Sequence, residues 1–361
     1  MLSLTYSISD QDFRTTKSLG ILNVSQQVLA HLVQHPELQS LTVLTNLTHG
    51  RDTTVSAKAR FLMHNEAIAG RLHRIWWDQW RLYAVARQAG DQWLFLPKGF
   101  ASFVRKCPNK LAVYVHDTIL ESYYSTHPGL SAFELAYFRY CLTATIRQAR
   151  VIFTNSNFTA MEVKRAAERR CLKPPKVITI GMGTELRQCE KLPGENRILV
   201  LAGAWPHKRT DLAVKYLTQW QAKTGFQGTI DWVGRLPQEM TLPPYPNWKL
   251  HCRLPEPDFR RLLGRSRALV FFSDYEGFGM PPVEAISHGA CPVYSDIAAT
   301  QEIMAGAGCA FQNDSYESFA AALETALRTP PAQLHNWQEA LMARFNWKLT
   351  CSKLVEALLT S

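Results

Sequence analysis

Short apolar runs rich in β-branched and aromatic residues alternate along this chain with longer stretches of helical period. That alternation limits what the chain can fold into. The spacing predicts strands over 41–44, 93–96, 111–115, 151–154 and 177–180 in the first half, and over 198–202, 229–233, 268–272 and 292–294 in the second. Amphipathic helices are expected over 24–33, 133–148, 158–168 and 211–224. A helix between two strands carries the chain back to the start of the next strand, so the strands pair in parallel and the helices cover both sheet faces. Two such series meet near 186–196, where Pro193 and Gly194 suit a linker. At 361 residues the chain is long for one core. The expected fold class is therefore α/β, with two doubly wound, Rossmann-like domains over 1–190 and 191–340. Ligands of open parallel sheets bind beyond the carboxyl ends of the strands, which makes a cleft between two facing sheets the expected site.

Composition narrows the function classes. Hydrophobic residues make up 46% of the chain and aromatics 11%, enough to fill two cores, which argues against disorder. No run of 18 apolar residues occurs, and the first dozen residues lack the basic start and apolar core of a signal peptide. A cytoplasmic protein is expected. The eight cysteines form no C-x-x-C pair and read as reduced thiols, not as a zinc site. Charge is uneven: residues 1–190 hold 23 basic and 14 acidic residues, a balance of +9, whereas 191–361 hold 17 and 16, a balance of +1. A basic first half fits an anionic partner, such as a membrane surface. Contributors would be Arg71, Arg74, Arg81, Arg105, Lys106, Lys110, Lys164, Arg165, Arg169 and Arg170, with the apolar stretches 60–64 and 76–80 beside them. There is no G-x-G-x-x-G, no Walker loop, no zinc finger and no RNP-like string, so dinucleotide, NTPase and nucleic-acid readings lack their signatures.

The most informative stretch is Ser273-Asp-Tyr-Glu-Gly-Phe-Gly-Met-Pro-Pro-Val-Glu-Ala285. An apolar strand feeds into it. Gly277 and Gly279 allow a tight loop with close backbone approach to a ligand. Pro281 and Pro282 then start a helix, whose N-terminal N–H groups and dipole suit a diphosphate. Glu276 and Glu284 flank the loop and would accept hydrogen bonds from vicinal hydroxyls of a sugar or ribose. This E-x7-E segment resembles the signature of the family-4 retaining glycosyltransferases of the GT-B fold. The resemblance implies that Glu276 lies near the hydroxyls of the transferred sugar and that Glu284 binds the nucleotide's ribose. The loop Gly277, Phe278, Gly279 and Met280 would contact sugar and phosphate.

A second match, Gly203-Ala-Trp-Pro-His-Lys-Arg-Thr-Asp-Leu212, is similar to the family's first loop of the nucleotide domain. It implies that Lys208 contacts the donor diphosphate and that Arg209 assists it or pairs with Asp211. Family members often carry Arg directly after the glycine; here Ala204 stands there, leaving a second phosphate cation unassigned. In the first half, His116 and Asp117 end a strand and resemble the family's His-Asp segment, which touches the reacting sugar or acceptor. Lys17-Ser-Leu-Gly20 resembles a Gly-rich first loop, which places Gly20 near the donor phosphates. The segment 152–159 resembles the family's strand-to-helix corner, and its Ser and Asn read as caps of the next helix. Phe345 and Trp347 resemble the terminal F-x-W of the family, which implies a helix over 341–361 crossing back to the first domain.

Together the resemblance implies a metal-independent hexosyltransferase without cofactor. The second domain would bind a nucleotide-diphosphate sugar and the first a glycan or lipid-linked acceptor, in the synthesis of a surface polysaccharide. The pattern is most similar to bacterial mannosyl-, glucosyl- or rhamnosyltransferases. Rival readings fit less well, and a sugar phosphorylase or nucleotide-sugar epimerase of the same fold would not be expected to show the E-x7-E context. Asp10-Gln-Asp12 fits the metal-binding D-x-D of GT-A enzymes, but it precedes any nucleotide-binding half. A nucleic-acid binder would use the basic half, and a non-catalytic relative would not need both Glu276 and Glu284.

Overall fold

The computed structural model describes residues 2–11, 19–46, 59–64, 70–184 and 196–361; for Leu19, Met63, His64 and Arg71 it describes the backbone alone. The chain divides into two compact units. The first comprises Met1–Ser125, Leu130–Gly183 and Asn346–Ser361, and the second comprises Thr126–Gly129 and Thr184–Phe345. The expected linker at 186–196, including Pro193 and Gly194, falls almost wholly outside the described residues, as do Cys189, Asp12, Lys17 and Ser18.

The first unit holds strands β1 (Leu2–Ser7), β2 (Leu38–Asn46), β3 (Ala59–His64), β4 (Trp93–Leu96), β5 (Lys110–Val115), β6 (Val151–Thr154) and β7 (Lys176–Thr179). They form one parallel sheet in the order β3-β2-β1-β4-β5-β6-β7. The second unit holds β8 (Arg197–Leu201), β9 (Thr229–Val233), β10 (Trp248–His251), β11 (Ala268–Phe271), β12 (Cys291–Ser295) and β13 (Cys309–Phe311). These too are parallel, in the order β10-β9-β8-β11-β12-β13. Each sheet thus reverses its direction of growth once, between β1 and β4 and between β8 and β11. Those two crevices are the topological switch points where such sheets bind ligands.

Central strands are apolar on both faces because helices cover both. All four side chains of Trp93–Leu96, Val151–Thr154 and Ala268–Phe271 are buried. Their alternation feeds two layers. Ile198 and Val200 join a cluster with Trp220, Trp232, Phe272 and Phe319, while Leu199 between them joins Leu263, Leu269, Ala285 and Ala290. In the first unit Leu94 and Leu96 pack with Val113 and Ile152, and Phe95 turns to the other face against Tyr6 and Phe153.

Helices begin where the sequence supplies caps. Ser131 and Glu134 form a reciprocal capping box at helix Ala132–Gln148. Ser156 accepts from Thr159 N at helix Asn157–Glu168, the capping role expected for the 152–159 corner. Asn346 caps the last helix, Trp347–Leu359, which belongs to the first unit and lies against helix Leu19–Leu32, with Cys351 Sγ 3.6 Å from Val28 O.

Four strands had no clear sequence signal. Leu2–Ser7 reads as a chain start, and Trp248–His251 and Cys309–Phe311 are short. Ala59–His64, read as a membrane-facing stretch, is instead the edge strand beside β2, with Ala59 buried and Leu62 on the core. Trp77, grouped with the exposed tryptophans by sequence, is 1% exposed and part of the same core.

The mouth of the second switch point is shaped by a close backbone approach. Gly234, just after β9, has φ +123°, and a Cβ there would lie 2.0 Å from Ala202 O, directly after β8. Gly234→Ala is expected to cost on the order of 2 kcal/mol or more, from the left-handed backbone and the clash together. A melting curve should show a loss of several degrees; an unchanged midpoint would contradict this packing.

Candidate functional site

The second unit's switch point is built from the two loops that leave β8 and β11. After β8 the chain passes Gly203 into a 3₁₀ turn, Pro206–Lys208, and then into helix Thr210–Thr224. Arg209, between turn and helix, is left-handed at φ 42°. The loop is tied at its base. Thr210 Oγ1 donates to Gly203 O at 2.8 Å and accepts from Gly203 N at 3.0 Å. Gly203 is required for room, since a Cβ there would meet Lys208 Cγ at 2.7 Å. The lysine side chain therefore lies across the glycine.

After β11 the chain is stitched to this first loop. Asp274 N donates to His207 O at 2.7 Å, and Ser273 Oγ donates to the same carbonyl at 3.2 Å. Asn313 holds the corner from beyond β13, donating to Ser273 O at 3.1 Å and to Asp274 Oδ1 at 2.9 Å. Two ion pairs then bridge the loops. Lys208 Nζ lies 2.6 Å from Glu276 Oε1, with both side chains largely shielded, and 5.2 Å above the Phe271 ring. Arg209 forks onto Asp274, 3.2 Å to each oxygen, and also meets Asp211 at 3.3 Å. Burial, aided by the neighbouring Lys208 charge, holds the His207 ring down to about 4, so it is neutral near pH 7 and adds no positive charge.

Beyond Glu276 the loop turns at Gly279, φ +87°, whose missing Cβ would lie 3.1 Å from Thr300 Cγ2. Helix Met280–Ser287 starts there, with Pro281 in its first turn. Gly277 and Phe278 are buried, and the Phe278 ring packs edge-on against Phe345 at 5.2 Å. Phe278 can therefore meet a ligand only through its backbone. Glu284 lies one turn into the helix and is partly exposed. The structure thus brings Lys208 and Arg209 of the first loop against Glu276 and Asp274 of the second, with Gly277, Phe278, Gly279 and Met280 following Glu276 into the helix that carries Glu284.

The sequence candidates in the first unit are Gly20, His116 and Asp117. Gly20 is in the first turn of helix Leu19–Leu32, not in a loop, and open space lies where its Cβ would be. His116 follows β5. Its Nε2–H donates to Pro97 O at 2.6 Å, its ring lies 4.4 Å from that of Tyr114, and burial holds its pKa down to about 4. Asp117 Oδ1 accepts from Ile119 N at 3.0 Å. His116 thus ties the turn after β5 to the chain after β4, and Asp117 closes the turn itself, whatever else they touch. No cluster of three or more His, Cys, Asp or Glu suited to a metal occurs among the described residues. Sequence reasoning missed Asp274 and Asn313. Asp274 lies two residues from Glu276 and carried a signal in its proximity; Asn313 carried none.

The family profile described as Glycosyl transferases group 1 matches residues 195–329, the segment that contains this crevice. The O-antigen chain mannosyltransferase RfbU of Salmonella typhimurium is 25% identical over 61% of this chain and 62% of its own length. O-antigen chain mannosyltransferase B of Escherichia coli is 28% identical over 29% of this chain and 28% of its own. The matches therefore span less than two thirds of these curated relatives. Among solved structures, HepE of Anabaena, in complex with UDP and glucose, aligns over the whole of both chains with a TM-score of 0.70 at 16% identity. Sucrose-phosphate synthase of Thermosynechococcus elongatus aligns over 100% of this chain and 99% of its own, with a TM-score of 0.69 at 14% identity. Residues 195–329 thus match the group 1 glycosyl transferase profile, and the whole chain has the fold of the GT-B glycosyltransferases.

Proposed function

We propose that this protein is a retaining, metal-independent glycosyltransferase that moves a hexose from a nucleotide-diphosphate sugar to a glycan or lipid-linked saccharide. The observation that carries this reading is the Lys208–Glu276 pair at the switch point of the group 1 domain. It sets a cation and a hydroxyl-accepting carboxylate side by side, next to a helix N-terminus. Similarity to two O-antigen mannosyltransferases favours mannose as the sugar and surface polysaccharide as the product.

In this reading the diphosphate lies against Lys208 and the backbone N–H groups that open helix Met280–Ser287. Glu284 receives the ribose hydroxyls, and Glu276 orients the sugar. The bond from the sugar's anomeric carbon to phosphate oxygen breaks through an oxocarbenium-like state. Charge then grows on the leaving diphosphate, where Lys208 and the amides are already in place. The acceptor oxygen attacks the same face, and its proton passes to a donor phosphate oxygen. No protein base is needed. The leaving charge is neutralised by Lys208 and helix amides, so no divalent ion is required.

The first unit is read as the acceptor half, docked on anionic lipid. No described helix is long and apolar enough to cross a membrane. One face of this unit nevertheless exposes Leu72, Trp76 and Trp80 at helical spacing, with Phe103 and Tyr140 in ring contact beside them. Exposed Arg81, Arg105 and Lys106 flank them, which fits anionic headgroups over aromatic anchors. Arg165, Arg169 and Arg170 contribute less, since they pair with Glu162 and Glu121.

Two measurements test these readings. Glu284→Ala should weaken nucleotide binding in calorimetry by ~1.5–3 kcal/mol, the loss of a charged hydrogen-bond acceptor, whereas Lys208→Ala should lower turnover more than nucleoside affinity. Unchanged values for both would remove these residues from the donor site. In flotation assays the chain should rise with anionic vesicles, stay behind with neutral ones and detach as salt increases; Trp76→Ser with Trp80→Ser should reduce flotation. Binding that ignores lipid charge and both substitutions would contradict the docking face.

A further inference from the structure

A cavity of about 500 Å³ opens at the amino ends of β6 and β7, and basic side chains line it. Arg150 directly precedes β6, and Lys176 is the first residue of β7. Arg147 lies in the last turn of helix Ala132–Gln148, and Lys173 comes from the segment that leads into β7. Pro174 and Pro175 belong to the wall and fix the backbone there, since their rings lock φ. Thr360 and Ser361, after the last helix, line it as well. All of these residues belong to the first unit. Its sheet is parallel, so the cavity opens at the end away from the loops that follow β1, β4 and β5. The four residues of β6 alone set the two ends roughly 13 Å apart. The cavity is therefore separate from the switch-point crevice and from the turn that holds His116 and Asp117.

The charge of the cavity selects a class of ligand. No aspartate or glutamate lines it among the described residues, and none forms an ion pair there with Arg147, Arg150, Lys173 or Lys176. Elsewhere on the same unit basic residues do pair: Arg169 and Arg170 meet Glu121, and Arg165 meets Glu162. Arg150 Nε donates to Ser361 O at 3.1 Å, and Lys176 Nζ to Thr360 Oγ1 and Ser361 Oγ at 3.3 Å each. Both keep further N–H donors. Arg147 and Lys173 make no hydrogen bond or ion pair among the described residues. A helix C-terminus accounts for Arg147 alone, because the other three cations stand outside helices. Four cations gathered at one concavity repel one another until an anion sits among them. Phosphate oxygens accept charge-assisted bonds from Arg and Lys, and the Arg fork takes them two at a time. A volume near 500 Å³ falls within the range of small-molecule sites, about 300–1,000 Å³.

We propose that Arg147, Arg150, Lys173 and Lys176 form a binding site for a phosphate or diphosphate group at the amino end of the first sheet. The site stands whether or not the second unit transfers a sugar. The test is calorimetric titration of the full chain with inorganic pyrophosphate. Four proteins are compared: wild type, Lys208→Met, the cavity pair Arg147→Gln with Lys173→Gln, and a control pair, Arg87→Gln with Arg139→Gln. The control pair removes the same charge from exposed positions elsewhere on the unit, and Arg147 and Lys173 are themselves exposed, so both pairs should keep the wild-type melting midpoint. Pyrophosphate should bind wild type, Lys208→Met and the control pair alike, and the cavity pair at least tenfold more weakly. A lipid headgroup is the other source of the same chemistry. It is read by flotation of Trp76→Ser with Trp80→Ser, which lacks the aromatic docking face, on vesicles of phosphatidylcholine with phosphatidic acid. Where free pyrophosphate does not bind, flotation that the cavity pair abolishes and the control pair preserves keeps the site and assigns it to lipid phosphate. Insensitivity of both probes to the cavity pair, or an equal loss in the control pair, overturns the site. Pyrophosphate binding lost in Lys208→Met alone puts the phosphate in the second unit, which overturns this site and leaves the transfer reading intact.

Discussion

The candidate donor site depends on one contact, the ion pair between Lys208 and Glu276 across the switch point of the second sheet. As a stabilising device it would be poor: a partly exposed pair is worth at most about 1 kcal/mol. The loops are held without it, by His207 O accepting from Asp274 N and Ser273 Oγ, by Thr210 closing on Gly203, and by Asn313 gripping the corner. The backbone therefore fixes two charges where they contribute little to folding. Groups placed in this way are better explained by what they do to a ligand than by what they do for the fold.

That placement follows from topology. A parallel sheet that grows outward in both directions from its first strand must leave two adjacent strands whose following loops diverge. The crevice between them receives the side chains that come next in the sequence. The second unit does this with β8 and β11, and the first repeats the strand order with β1 and β4. Each crevice carries a lysine–carboxylate pair, Lys208–Glu276 in one and Asp10–Lys98 in the other, both at 2.6 Å. Aspartate and glutamate accept hydroxyl protons, and lysine answers phosphate or ring oxygens. The two pairs differ in what surrounds them: a helix N-terminus and glycines beside Glu276, and a second acid and an arginine beside Asp10.

Much of this could be read from the residues. The central strands of both sheets are continuous apolar runs, and Trp93–Leu96, Val151–Thr154 and Thr229–Val233 were predicted to the residue. Glu276, Glu284 and Lys208 stood out because local spacing ties them to one loop and one helix start. The parts that were not legible depend on distant pairing. Ala59–His64 and Trp248–His251 are edge strands with no clean period. The short motif Asp10-Gln-Asp12 reads as a chance match to a metal site because it precedes any nucleotide-binding half, and nothing in the sequence signals that Lys98, 88 positions on, pairs with Asp10. At His116 the structure adds a contact that the sequence does not signal. A histidine at a strand end invites a catalytic role, and here its Nε2–H donates to Pro97 O, beyond β4.

The central claim is that the second unit holds a nucleotide diphosphate on Lys208. It is tested most directly by thermal shift of the full chain against GDP, UDP and dTDP, in wild type and in Lys208→Met. A ligand that binds only the folded state stabilises it by about 2.7 kcal/mol at a hundredfold excess over its Kd. The account predicts a raised melting temperature with at least one nucleotide in wild type, and its loss in Lys208→Met with the unliganded midpoint unchanged. No shift with any of the three, or an equal shift in both proteins, would contradict it.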